Sequence, residues 1–291
     1  MNAYSEPRQS KNQRRQEARE KARQLREKQS KQSKQKKIIL QSSLGVAVLA
    51  VIGVVTFFIT SSVTPQGPGP RNMASDGIKI GQDFVAERTE ALQPEGTPIL
   101  SSENPEGVAA IDIFIDYSCP ACAQFEVIYS ELFRNWLESG TVTVEYHPLS
   151  FRDAQTAGQR YATRSGNAAA CVADLEPDSF FNYSETLLFN QPAPPEEVSL
   201  SDDELVGLAE EAGVANIDEV ETCIKEERFA DWLDDATVRA MGTGPVPVRN
   251  SQIPVVGGTP TVLVNGQEYS GRSPADLAAF VASVEDVDGA E

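Results

Sequence analysis

The chain has 291 residues, enough for one or two domains, and a net charge of −18. That total hides a division: residues 1–37 carry 13 Lys/Arg and 4 Asp/Glu, leaving 12 against 39 for everything after them. The basic part has almost no aromatic residues and adjoins an apolar run, which argues against nucleic-acid binding. A single histidine and a lone CxxC argue against a zinc centre.

Residues 1–37 are rich in Gln, Lys, Arg and Glu and cannot bury a core, so they read as a disordered basic cytoplasmic tail. Residues 38–60, IILQSSLGVAVLAVIGVVTFFIT, hold no charge. As a helix they reach about 34 Å, enough to cross a bilayer core. Positive charge on the inner side puts the acidic remainder outside the membrane. A cleaved secretory signal is the alternative, but the basic region is long and no small-x-small cleavage site follows. Residues 61–75 form a Pro/Gly linker.

A short edge strand is expected at Gly77–Gly81, then loop-like sequence to Glu106. Gly107–Asp116 reads as a buried strand running into Cys119-Pro-Ala-Cys122 at the mouth of a helix. Apolar residues at Phe125, Ile128, Tyr129, Leu132, Phe133 and Trp136 give that helix one buried face, and Gly140 ends it. Val142, Val144 and Tyr146 then alternate as a strand, which completes a βαβ unit. Helical sequence follows from Asp153 to about Met241: Ala154–Asp174, Phe180–Phe189, a helix opened by the capping box Ser201-Asp-Asp-Glu204, and a long one over Ile217–Met241. Phe180, Phe181 and Tyr183 read as core of these helices. Thr259-Pro260 then precedes a strand at Thr261–Val264, a turn at Asn265-Gly266 and a last helix at Ala275–Val284.

Two residues between the cysteines allow both sulfurs to sit on the first helical turn. Cys119 at the helix N-terminus faces unpaired N–H groups and the positive end of the dipole, which favour a thiolate. Each unit by which its pKa falls stabilises the thiolate by roughly 1.4 kcal/mol. Pro120 suits a position whose N–H has no helical partner. Half a zinc site, a structural disulfide and plain buried thiols are the bland readings of the same spacing. Pro260, before a strand, is a place where a cis peptide bond persists.

With both motifs in view, the sequence resembles the DsbA-like branch of the thioredoxin superfamily. The matching residues are Phe114, Asp116, Tyr117, Cys119, Pro120, Cys122, Phe125 and Glu126, then Pro148-Leu149, Leu188-Phe189-Asn190-Gln191, Gly258-Thr259-Pro260-Thr261 and Asn265-Gly266, in the family's order. The resemblance covers roughly residues 76 to 285. It implies an α/β thioredoxin fold interrupted by an α-helical insertion, and the apolar run at 38–60 adds one preceding transmembrane helix. The segments are 76–152 and 242–285 for the thioredoxin fold, 153–241 for the insertion, and 286–291 for an acidic tail. It also implies a thiol–disulfide oxidoreductase without cofactor or metal, with Cys119 the attacking thiol, Cys122 the resolving thiol, and Thr259-Pro260, with Pro260 cis, facing them.

The implied partners are exported cysteine-containing proteins and a quinone-linked thiol oxidase of the membrane; the direction of transfer stays open between oxidase and reductase or isomerase. A redox-inert binding module is the reading from another class. The two remaining cysteines, Cys171 and Cys223, fall on different helices of the insertion. In an oxidising compartment they are expected to pair, which stabilises a loop of about 50 residues by roughly 4 kcal/mol; two separate buried thiols are the alternative.

Two departures stand out. Strongly oxidising members of the family carry histidine between the cysteines, where this chain has Pro120-Ala121. Many relatives bury an acid six residues before the first cysteine, where this chain has Ile113, with Asp112 pointing to the other face of the strand. Water or Asp116 is left to handle the proton of Cys122. His147 reads as a surface residue at a strand end, and Asn182-Tyr-Ser184 as a chance glycosylation match.

Overall fold

The computed structural model describes residues 67–192, 199–242 and 245–288, along with Glu20 and Arg23. The expected membrane span at 38–60 lies outside the described residues, and no helix among the described residues is long and apolar enough to cross a membrane. The chain divides into two compact units, Met1–Pro65 and Gln66–Glu291. The second unit contains the sheet and all four cysteines.

Five strands form one mixed sheet in the order β1-β3-β2-β4-β5: β1 Ile78–Ile80, β2 Ala109–Ile115, β3 Val142–Pro148, β4 Thr261–Val264 and β5 Gln267–Tyr269. Among the described residues only β2 and β3 pair in parallel, with Ile111 opposite Val144 and Ile113 opposite Tyr146. They are joined by α1, Pro120–Ser139, which ends at Gly140 with φ 69°, a left-handed cap that glycine adopts without Cβ strain. The turn from β4 to β5 places Asn265 at φ 47° and Gly266 at φ 81°, as a two-residue hairpin requires.

The sheet separates two apolar layers. Ile111, Ile113, Ile115, Val142, Val144 and Tyr146 form a continuous core with Phe125, Tyr129 and Phe133 of α1 and with Leu277 and Val281 of α7, Pro274–Asp288. On the other face Phe114 and Leu263 meet Leu149, Val246, Val248 and Val256 in a smaller cluster. The alternation of the strands assigns these residues to their faces, because successive side chains point in opposite directions.

Between β3 and β4 the described residues form five α-helices: α2 Tyr161–Leu175, α3 Phe180–Phe189, α4 Asp202–Glu211, α5 Ile217–Lys225 and α6 Ala230–Met241. Phe180, Phe181 and Tyr183 are buried core residues of this layer. The capping box of α4 is formed in both directions between Ser201 and Glu204. The single helix expected over 217–241 is instead α5 and α6, broken where Glu227 takes φ 46°. There the amides of Glu227 and Arg228 turn back to the carbonyls of Ile224 and Cys223, and no glycine advertises the stop in the sequence.

His147 is 1% exposed rather than a surface residue, stacked on Phe114 with ring centroids 4.4 Å apart. The reason is local: a Cβ at Gly77 would come within 2.5 Å of the imidazole, so glycine alone lets that backbone close over the ring.

Candidate active site

The strand, the helix and a distant loop meet at Cys119. Cys119 is the N-cap of α1 with extended backbone, Pro120 occupies the first helical position, and the Cys119 carbonyl receives the amides of Cys122 at 2.9 Å and Ala123 at 3.2 Å. The amide of Cys119 donates to the Asp116 carbonyl at 2.9 Å, which closes the turn out of β2. Across from it the Thr259–Pro260 peptide bond is cis, and the Cys119 thiol donates to the Thr259 carbonyl at 3.3 Å. The chain thus brings together Cys119, Cys122, Thr259 and Pro260 from positions some 140 residues apart.

The two cysteines are not bonded to each other and are 5% and 0% exposed, so Cys119 alone reaches the surface. A hydrogen bond from the Cys122 thiol, aided by Thr259 and by the backbone amides of Cys122 and Ala121, lowers the Cys119 pKa to about 5 against the opposing cost of burial. The Thr259 hydroxyl itself completes no hydrogen bond of normal geometry. Burial and the bond to Cys119 push Cys122 far in the opposite direction. One sulfur is therefore a thiolate at neutral pH and its partner a thiol, which is the polarity a dithiol exchange site needs.

The surrounding loop is held by two side chains. Asp116 is fully buried; its Oδ1 accepts from the amide and hydroxyl of Ser118 at 2.8 and 2.7 Å, and its Oδ2 from the Arg152 amide at 3.1 Å. Burial raises its pKa to about 6 and these donors hold it back. Gln191, just past α3, donates to the carbonyls of Tyr117 at 2.6 Å and Cys119 at 3.1 Å. Neither this tether nor the burial of Glu126 is visible in the sequence, since both depend on where the helices dock.

Cys171 of α2 and Cys223 of α5 are both fully buried and joined at an S–S distance of 2.01 Å, Cα–Cα 5.9 Å. Away from both cysteine pairs, Asp112, Glu145 and His147 bring one ligand atom each within 4.8 Å of one another, a grouping among the described residues with the donor atoms to hold a cation. His147 Nε2 lies 3.4 Å from Asp112, while Ser75 and Ser101 donate to Glu145, so protein groups already engage both carboxylates. Asn182 lies in α3 and accepts from Arg134 rather than standing on an open loop.

Residues 104–283 match the family described as Thioredoxin. This chain belongs to the thioredoxin family, in its DsbA-like branch. No curated protein matches it. Among solved structures, oxidised DsbA of Mycobacterium tuberculosis is 26% identical, with 72% of this chain and 92% of that one covered at a TM-score of 0.54. Reduced DsbG of the same organism is 27% identical, with coverage of 72% and 88% and a TM-score of 0.55. BdbD of Bacillus subtilis, at 16% identity and a TM-score of 0.52, shares the fold. The DsbA-like chain is a thiol–disulfide oxidoreductase.

Proposed function

We propose that this oxidoreductase is anchored in the cytoplasmic membrane by residues 38–60, with its basic tail inside, and passes the Cys119–Cys122 disulfide to exported proteins. The observation that carries this reading is the opposed pair of thiols beneath the cis Thr259–Pro260 bond, with Cys119 at about 5 and Cys122 driven up. A substrate thiolate attacks Cys119 Sγ; the Cys119–Cys122 bond breaks and its electron pair goes to Cys122. The substrate's second thiolate then attacks the substrate sulfur of the mixed disulfide and expels Cys119 as thiolate. The substrate dithiol is oxidised and the protein's disulfide reduced, by two electrons. The backbone beside Pro260 offers the substrate segment a strand-like contact. A quinone-linked thiol oxidase of the membrane restores the disulfide.

The test is the reduction potential of the Cys119–Cys122 pair in the full-length protein, by equilibration with glutathione. A value of about −120 to −180 mV supports disulfide donation. A value near about −270 mV overturns it in favour of a reductase, a direction that the absence of histidine between the cysteines makes worth testing.

A further inference from the structure

Glu126 lies on α1 one turn beyond Cys122 and is 1% exposed, and its Oε1 makes no hydrogen bond. Residues four apart on a helix share a face, with about 5–6 Å between their Cβ atoms. Cys122 and Glu126 are therefore neighbours within the same buried layer. Cys122 is fully buried and Glu126 nearly so, so this face of the helix holds both groups away from water.

The other ionisable groups facing Glu126 are Tyr146 of β3, Glu185 of α3 and Arg134 of α1 itself. Arg134 is committed elsewhere, donating to Glu185 and to Asn182. A buried carboxyl with no cation bound to it is stable in its neutral form. Burial, assisted by the charge of Glu185 and opposed by Arg134, raises the Glu126 pKa to about 8.

Two other places for an acid near Cys122 are closed. Position 113 in β2 is a fully buried isoleucine. Asp116 has both oxygens occupied by the donors of Ser118 and Arg152, which suit a carboxylate rather than a proton donor.

We propose that Glu126 supplies the proton that Cys122 takes up when the Cys119–Cys122 disulfide opens. The proposal rests on the oxidase reading above. As the substrate sulfur bonds to Cys119, the electron pair of the broken S–S bond arrives on Cys122, deep in the protein where a thiolate is poorly solvated. The Glu126 carboxyl transfers its proton to that sulfur and becomes a carboxylate, which later regains a proton from water. The second exchange needs no such help, because Cys119 leaves as a stable thiolate. In the reverse direction the carboxylate takes the proton back from Cys122.

The test is the rate at which dithiothreitol reduces the oxidised full-length protein between pH 6 and 10, divided by the thiolate fraction of the reductant. The wild type is expected to fall about tenfold as pH rises through about 8, where Glu126 loses its proton. Glu126→Gln keeps the shape and neutrality of the acid without its proton. It should be about tenfold slower at pH 7, flat with pH, and equal to the wild type above about pH 9. Glu126→Asp should restore an inflection. A wild-type profile in Glu126→Gln, or a slowing equal at every pH, overturns the proposal. So does loss of the inflection in Asp116→Asn alone, which moves the role to Asp116. A wild type that resists reduction at every pH is a different result: it removes the oxidoreductase reading first and this proposal with it.

Discussion

The two cysteine pairs are built from the same atoms in opposite settings. Cys119 and Cys122 sit at the start of one helix with two residues between them, and a loop carbonyl faces Cys119. Cys171 and Cys223 sit inside two different helices, 52 residues apart, with no surface exposure. The first setting separates the two sulfurs in acidity, so that a bond between them has one good and one poor leaving group. The second treats its sulfurs alike and uses the bond to hold α2 against α5. On the proposed reading, position on the helix, more than the cysteine itself, sets which pair exchanges.

The largest effect comes from breaking the first pair. Cys119→Ser is expected to abolish disulfide transfer to a reduced test protein while leaving the thermal unfolding midpoint nearly unchanged. Cys122→Ser should accumulate mixed disulfides on Cys119, visible by mass spectrometry without reductant. Full turnover in the Cys119 variant would contradict the assignment of the two roles. Replacing Cys171 and Cys223 together by alanine should do the converse: a loss of about 4 kcal/mol in denaturant unfolding, with the potential of the other pair unmoved.

A pH series sharpens the difference further. The folded Cys119 pKa is lowered to about 5, so alkylation of the reduced protein should be nearly constant from pH 6 to 8. It should drop about tenfold by pH 4, as the thiolate is protonated. A rate still climbing from pH 7 to 9 would mean an ordinary thiol. The smallest effect is a probe of the stapled layer. A Cβ at Gly166 of α2 would come 2.4 Å from Leu233 of α6, so Gly166→Ala should cost about 1 kcal/mol in thermal stability and leave turnover alone.

Local pattern carried much of this architecture into the sequence. The alternation of Val142, Val144 and Tyr146, the apolar spacing of α1 and the Ser201–Glu204 capping box act over a few residues and have counterparts in the fold, except that Ile128, expected on the buried face of α1, is exposed. What stayed hidden is set by distant chain. Glu126 is picked out by the family resemblance, but its burial is not readable from its neighbours, and His147 reads as a strand end until Gly77 folds over it. The break at Glu227 follows from a backbone turn that no glycine or proline marks. At the site the two cysteines and the proline were legible because their spacing carries their chemistry. Gln191 falls in a stretch that the family resemblance picks out, but its side-chain bonds to carbonyls more than seventy residues away depend on how the helices dock.

The first residues of the folded unit are tied to the stapled helices as well as to the sheet. Just after Pro70, the Arg71 amide and guanidinium hold Asp174 at 2.8 to 3.2 Å, and Asn72 donates to the Ala173 carbonyl at 2.8 Å. Both anchors lie within three residues of Cys171. In mechanical terms, tension applied along the chain from its N-terminal side is loaded first onto a helix that is covalently bolted to its neighbour.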